Sequence, residues 1–248
     1  MKISLFKTQK ATKNLQFLIF LLLIIGVQAC KDDNSNKIIP PTESLVSYYN
    51  FNFDFKDGSS SNHGLETNVS LVKSDNGNEN KFAYFVGTNN YISLSNDFDF
   101  NNRTISIWFK ALAVDLDLKI IYTSDHPEIA HGLTVFSVKQ ENNIPILLLN
   151  FSNQIHTVPF ELNRWYNAVI RTGGLKYSYF LNGEVIKSGN APSYIASSNG
   201  NENAILGAIR TLNSRFFNGY IDNVRIYNRT LTNEEVEIIF NNEILQER

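Results

Sequence analysis

The side chains that could act as nucleophiles, general acids or metal ligands are few and widely spaced in this chain. It contains 1 cysteine and 4 histidines, and no Gly-x-Ser-x-Gly motif predicts a serine nucleophile. His126 and His131 flank a segment with Asp125 and Glu128, but Pro127 interrupts it, so no regular element brings the two imidazoles together. We therefore expect a solvent loop rather than a transition-metal site, and we keep His126 as a candidate ligand contact because exposed loops often bind ligands.

Carboxylates could instead hydrolyse glycosidic bonds, which requires two of them to face one sugar. The nearest cluster of acids is Asp97, Asp99 and Asp115, which we interpret as solvated loop residues, and no Glu-x-Asp-x-x-Glu run occurs. The sequence therefore favours a protein without catalytic residues. A carboxylate pair that only the fold brings together stays the alternative.

Aromatic residues are the remaining candidates, because tyrosine and tryptophan combine a flat apolar ring with a polar group that suits sugars. Tyr122, Tyr194 and Phe216 lie near predicted loops. We take Tyr122 and Tyr194, with His126, as candidate ligand-binding residues. The alternative is that these rings only pack, since isolated surface aromatics are common.

The N-terminus has the features of an export signal. Four lysines and no acid precede Cys30, together with an apolar run over Phe17–Ile25 and small residues before the cysteine. The Val-Gln-Ala-Cys ending resembles the lipobox of bacterial lipoproteins, in which the cysteine is acylated and becomes the first mature residue. We therefore predict a lipoprotein signal peptide over residues 1–29 and lipidation of Cys30. A retained membrane anchor is disfavoured, because a spanning helix needs ~20 apolar residues.

Residues 30–44 are predicted to be the lipidated cysteine and a flexible tether, since they are polar, lack periodicity and contain Pro40-Pro41. Lys31-Asp32-Asp33 resembles the signal that sends some lipoproteins to the outer face of the outer membrane. We therefore expect an outer-membrane lipoprotein that is exposed at the cell surface and contacts the membrane through its lipid.

The charge of the chain argues against nucleic acid as a partner. It has 22 basic and 24 acidic residues, and removal of the signal peptide with its four lysines leaves 18 basic residues and a net charge of −6. No basic cluster lies outside the signal peptide, whereas nucleic-acid binding requires clustered lysine and arginine.

Residues 45–248 are predicted to form one domain of short strands that are separated by turn residues. Tyr, Phe, Ile, Val and Asn are abundant, which favours sheets joined by turns. Asn182-Gly183 predicts a type I′ hairpin, because both residues accept positive φ. Residues 59–80, rich in Asn, Ser and Gly, are predicted to be mostly loop.

One helix is predicted near the C-terminus. Thr232 and Glu235 form a capping box, and Val236, Ile239 and Phe240 share one face at helical spacing. We expect that face to pack on a sheet.

Several segments resemble, in family order, the strands of laminin-G-like, concanavalin-A-like jelly rolls. They include Leu45–Phe51, Thr104–Lys110, Arg164–Val169 and Phe180–Gly183, and the most specific is Phe217–Arg229. The resemblance implies an all-β, antiparallel two-sheet jelly-roll sandwich with one short C-terminal helix. It also places Trp108 and Trp165 in strands, where we expect them to belong to the core.

The same resemblance implies a cofactor. Members of this family often hold a structural calcium ion (Ca2+) between the first loop and the closing strand, and the matching positions are Asp54 or Asp57 and Asp222. The alternative is that Asp222 only accepts backbone hydrogen bonds.

The resemblance implies less about function, because this fold hosts lectins, adhesion modules, glycosidases and spacers. Together with the predicted anchor and the missing carboxylate run, it predicts a surface-anchored, non-catalytic domain that binds glycan. The alternatives are a glycoside hydrolase of the concanavalin-A-like class and an adhesion module that binds a cell-surface protein.

Overall fold

The computed structural model describes residues 39–74, 80–96, 98, 100–126, 129–191 and 203–244, with the backbone alone at 125, 126 and 129–133. Within these ranges the chain forms strands and one C-terminal helix. In chain order they are β1 (Leu45–Tyr49), β2 (Leu65–Thr67), β3 (Ser70–Lys73), β4 (Lys81–Val86), β5 (Tyr91–Ser93), β6 (Asn102–Ala111), β7 (Lys119–His126), β8 (Ile129–Glu141), β9 (Ile144–Phe151), β10 (Gln154–Pro159), β11 (Tyr166–Gly173), β12 (Lys176–Leu181), β13 (Glu184–Asn190), β14 (Ile205–Leu206), β15 (Asn218–Tyr227) and α1 (Asn233–Glu243).

The strands pair in two antiparallel sheets. The first sheet has the order β13-β12-β11-β6-β15-β4-β3, with β1 paired to β15, and the second has the order β10-β9-β8-β7-β14-β5-β2. The closing strand β15 thus lies at the centre of the first sheet, between β4 and β6. This arrangement confirms the predicted two-sheet jelly-roll sandwich with a single short helix.

The main core lies between the sheets. Alternate residues of β6, namely Ile105, Ile107 and Phe109, point into it and are fully buried. The residues between them point to the outer face of the first sheet, because successive side chains of a strand alternate in direction. This outer face is where α1 packs.

The helix begins as predicted. The Thr232 hydroxyl accepts a hydrogen bond from the Glu235 amide, and the Glu235 carboxylate accepts one from the Thr232 amide. The Arg229 guanidinium binds both oxygens of Glu235, at 2.8 and 2.6 Å. Val236 and Ile239 are fully buried in a second, smaller apolar cluster between the helix and the first sheet.

Two local predictions have different outcomes. The Asn182-Gly183 turn joins β12 to β13 with φ of 52° and 81°, as a type I′ hairpin requires. The prediction that residues 59–80 are mostly loop is wrong at β2 and β3, which are short strands that pair with β5 and β4. Their side chains are largely exposed, so they lack the apolar alternation that marks a strand in sequence. In the part of the chain that the structure describes, no helix is long and apolar enough to cross a membrane.

Candidate functional site

Five neighbouring side chains on the outer face of the first sheet form what we call the aromatic surface: Phe82, Tyr84, Lys110, Trp165 and Tyr220. Tyr84, Tyr220 and Lys110 lie opposite one another across β4, β15 and β6, and Trp165 directly precedes β11. Phe82 is 4% exposed, whereas the other four are half-buried. The sheet register therefore brings residues from distant parts of the chain onto one outward-facing patch.

The rings of this surface contact one another closely. Phe82 meets Trp165 edge to face at a centroid distance of 4.8 Å, and Tyr84 and Tyr220 are 5.2 Å apart. Trp165 and Tyr220 are separated by 6.3 Å. Such contacts hold the rings in fixed orientations. A ligand that binds them therefore loses little free energy to the ordering of side chains.

Lys110 lies over two of these rings. Its Nζ is 4.9 Å from the centroid of Tyr220 and 5.5 Å from that of Trp165, which is the distance of a cation–π contact. No ion pair joins Lys110 to a carboxylate among the described residues. Among the described residues, the positive charge of the ammonium group is thus offset by aromatic faces and not by a carboxylate.

A groove of about 360 Å³ adjoins the aromatic surface at Trp165. Its lining residues are Trp108, Asn163, Arg164, Trp165, Asn182, Phe240 and Ile244. Phe240 stacks on Trp108 at 5.6 Å with the ring planes 9° apart. The groove therefore has an aromatic wall and a rim of amide and guanidinium groups, which are the two kinds of group that sugars require.

The hairpin turn shapes one side of this groove. The Asn182 side-chain oxygen accepts a hydrogen bond from the Asn167 amide at 3.0 Å, which fixes the turn against β11. A Cβ atom on Gly183 would lie 3.2 Å from the Phe240 ring. A glycine here thus allows both the positive φ and the close approach of the helix.

Beneath the helix, an ion pair closes the outer face of the sheet. Arg225 Nε donates to Glu243 Oε1 at 2.5 Å, and Trp108 Nε1 donates to Glu243 Oε2 at 2.8 Å. Glu243 is 1% exposed, and burial raises the pKa of its carboxyl even though Arg225 opposes that change. The Arg225 guanidinium also lies 3.7 Å from the centroid of Tyr48.

The first loop is organised around Asp57, which is 5% exposed. Its Oδ1 accepts hydrogen bonds from the Tyr48 amide and from the Ser59 amide and hydroxyl, and its Oδ2 accepts one from the Ser60 hydroxyl. Burial alone would raise the pKa of Asp57, but these hydrogen bonds outweigh it and lower the pKa below 3.8.

A chain of contacts links this loop to the closing strand. The Tyr48 hydroxyl donates to the Asn223 side-chain oxygen at 2.6 Å, and the Asn223 side-chain amide donates to the Asp222 carboxylate at 3.2 Å. Asn223 has φ of 45° at an irregularity in the β15–β6 pairing. Side-chain hydrogen bonds through Tyr48 and Asn223 thus connect the first loop to the closing strand.

Residues 86–237 match the laminin G family model whose description is the concanavalin A-like lectin/glucanases superfamily. The chain belongs to this superfamily. No curated protein matches it.

Solved structures show the same fold. Domain 4 of an extracellular arabinanase of Geobacillus stearothermophilus, in complex with arabinotriose, is 19% identical, with a TM-score of 0.61 over 79% of this chain and 98% of that one. The binding domain of botulinum neurotoxin serotype D is 16% identical, with a TM-score of 0.59 over 82% and 53% of the two chains.

A mutant of Trypanosoma rangeli sialidase that displays trans-sialidase activity is 13% identical, with a TM-score of 0.63. The match covers 83% of this chain and 34% of the sialidase. This chain thus spans about half of the toxin domain and a third of the sialidase. At these identities the likeness concerns the fold.

The calcium ion expected from the concanavalin A-like resemblance does not fit the arrangement at Asp57. Four hydrogen-bond donors already point at the oxygens that a cation would need. Asp54 is exposed and pairs with Lys56 at 3.6 Å, while Asp222 is buried. No group of three or more candidate metal ligands occurs among the residues that the structure describes, and calcium binding stays a prediction.

Two predictions about aromatic residues of this concanavalin A-like domain are wrong. Tyr122, a candidate ligand contact, is fully buried in the main core and meets Phe136 edge to face at 5.8 Å. Trp165, expected in the core, is half-buried and belongs to the aromatic surface. The sequence shows that both residues adjoin or belong to strands, but it does not show which face of each sheet is covered.

For the remaining predicted site residues, the structure describes the backbone alone or nothing. His126 ends β7, where it pairs with Ile129, and its side chain is outside the described part. Cys30 and Tyr194, like Asp97 and Asp99, lie outside the described residues altogether. Their predicted roles stay predictions.

Of the three acids considered for catalysis, the structure describes Asp115, which is an exposed loop residue. Asp115 forms an ion pair with Lys119 at 2.9 Å and accepts a hydrogen bond from the Asp117 amide. These contacts are typical of a solvated loop, as the sequence predicted.

Proposed function

We propose that this protein is a non-catalytic glycan-binding domain that a lipid on Cys30 anchors to the outer membrane at the cell surface. The observation that carries the proposal is the aromatic surface with its adjoining groove. Its rings are oriented by one another, those of Tyr84, Trp165 and Tyr220 reach solvent, and amide and guanidinium groups lie at the rim of the groove.

Sugar rings present apolar C–H faces and equatorial hydroxyls. Trp165 and Tyr220 offer ring faces for stacking, while Asn163 and Arg164 are exposed at the groove and offer donors and acceptors for hydroxyls. A structural neighbour, the arabinanase domain, was solved with the oligosaccharide arabinotriose, which supports a sugar as the ligand class.

The expected affinity is modest, because a shallow surface buries few atoms of a flexible ligand. Attachment to the membrane compensates for weak affinity, because many copies on one surface engage a polymer together. The tether predicted for residues 30–44 is shorter than expected, because the Pro41 and Glu43 carbonyls accept hydrogen bonds from Tyr227 and Arg229 of the domain. The residues before Pro41 would let the domain reach its ligand.

A glycan array with the purified full-length chain in detergent micelles tests the ligand class. We expect binding to a limited set of polysaccharides and no release of reducing sugar from any of them. Release of reducing sugar in proportion to protein concentration would overturn the non-catalytic assignment. Binding to no glycan would overturn the proposed function and favour a protein partner.

Membrane fractionation tests the anchor separately. We expect Cys30→Ala to move the protein from the detergent-extracted membrane fraction to the soluble fraction, because the lipid is the proposed membrane contact. Protease treatment of intact cells should cleave the tether of the unaltered protein. A Cys30→Ala variant that still requires detergent, or a tether protected until lysis, would contradict anchoring or surface display.

A further inference from the structure

We infer that the ligand of the aromatic surface is an acidic glycan whose carboxylate pairs with Lys110. This inference rests on the proposed function, and it concerns the chemical class of sugar that the same surface selects.

The position of the ammonium group is the first argument. Lys110 extends from the middle of the first sheet, and its Nζ lies over both Trp165 and Tyr220. A sugar that stacks beside these rings would bring its substituents to the ammonium group, which has three hydrogen-bond donors. A carboxylate is the sugar substituent that such a cation binds most strongly, because the hydrogen bond is charge-assisted.

The lack of an internal partner is the second argument. Asp115 pairs with Lys119 at 2.9 Å, Glu141 with Lys139 at 3.1 Å, and Asp54 with Lys56 at 3.6 Å. No carboxylate of the described residues forms such a pair with Lys110, although this lysine is half-buried. Among the described residues, therefore, no carboxylate competes with a ligand's carboxylate for the Lys110 ammonium group.

A second cation lines the groove that adjoins the aromatic surface. Arg164 is exposed and lines the groove next to Trp165, and its ion pair with Glu161, at 3.3 Å, joins two largely exposed side chains. Such exposed pairs contribute little and exchange readily. Lys110 thus lies over the Trp165 ring, while the Arg164 guanidinium lies 5.6 Å from the centroid of Tyr166 and adds a second positive charge at the groove.

The net charge of the mature protein does not favour binding of an acidic glycan. The mature protein would carry a net charge of −6, so long-range attraction does not draw an acidic polymer to it. The preference must come from local pairing at Lys110, and it should weaken as salt screens the exposed charges.

Polygalacturonate and its methyl ester provide a suitable first pair of probes, because they share one backbone and differ in the carboxylate. We would measure the affinity of the full-length chain for this pair and for other acidic and neutral glycans matched in an array. We expect the acidic member of at least one pair to bind about fivefold more tightly at low salt.

Variants of one residue separate charge from packing. Lys110→Met keeps the apolar stem over the rings and removes the ammonium group, so it should equalise the affinities for the acidic and neutral members. Lys110→Arg should retain the preference, and Lys56→Gln, on the first loop, should leave it unchanged. Thermal unfolding of each variant would show that the fold is retained.

The outcomes separate this inference from the proposed function. Equal binding of acidic and neutral glycans, or a preference that survives in Lys110→Met, would overturn the acidic ligand and leave glycan binding intact. Binding to no glycan at all would overturn both.

Discussion

The outer face of the first sheet has two halves that differ in what covers them. In one half, the helix buries Trp108 by stacking Phe240 on it, and the Arg225–Glu243 ion pair closes the contact. In the other half, Trp165 and Tyr220 reach solvent around Lys110. We call these the covered half and the open half.

The two halves use the same strands. Trp108 and Lys110 are two residues apart on β6 and point the same way, as their spacing requires. The two side chains differ in their cover, because α1 ends over Trp108 and does not extend over Lys110 and the rings beside it. The comparison shows that ring type and strand position alone do not identify a ligand-binding aromatic.

The largest expected effect belongs to the covered half. Glu243→Ala should lower stability by about 3–5 kcal/mol, because it leaves the buried Arg225 charge without its ion-pair partner. Thermal unfolding should show a fall in Tm of about 10 °C. Glu237→Ala, at an exposed position of the same helix, is the matched control and should change Tm little. Equal effects of the two variants would mean that the ion pair does not hold the helix.

The second prediction concerns the first loop, which is connected to the covered half because Tyr48 contacts both Arg225 and the Asp57 carboxylate. Asp57→Asn should destabilise the domain by about 2 kcal/mol at neutral pH, since the amide cannot accept all four hydrogen bonds.

This penalty should depend on pH. The pKa of Asp57 is lower in the folded chain than its ordinary value of 3.8, so the carboxylate stabilises the fold fully above that value and loses its contribution as pH falls through the folded pKa. Urea unfolding at a series of pH values should show the gap between Asp57→Asn and the unaltered protein closing in acid. A gap that stays constant down to the lowest pH would contradict this role of the carboxylate.

Thr232→Ala should have a smaller effect, about 1 kcal/mol, because it removes one side of the capping box at the start of α1. Thr232→Ser keeps a hydroxyl and should restore most of the loss. If serine and alanine destabilise equally, the cap does not contribute through its hydrogen bond. Urea unfolding of the two variants decides between these results.

Much of the fold could be predicted from local patterns, because alternating apolar residues, the Asn182-Gly183 turn and the Thr232 capping box each depend on neighbouring positions. The strands β2 and β3 could not, since they are short, none of their residues is fully buried, and their pairing with β5 and β4 is a tertiary effect.

The candidate site was harder to predict. The sequence singled out Tyr122, which lies on β7 and is buried in the main core between the sheets, and it placed Trp165 in the core. The alternation of Lys110 with the core residue Phe109 was a usable signal for an outward position on β6. The coverage by α1 and the adjacency of β4, β15 and β6 are properties of the assembled sheets, which no local pattern specifies.

The most direct test of glycan binding by the open half is calorimetric titration of Trp165→Ala with a polysaccharide that the unaltered protein binds. We predict that affinity falls by about tenfold or more, while Tm changes far less than in Glu243→Ala. Phe53→Ala, which removes an aromatic ring that is 85% exposed outside the aromatic surface, should bind as the unaltered protein does. Unchanged affinity in Trp165→Ala would show that the aromatic surface is not the binding site.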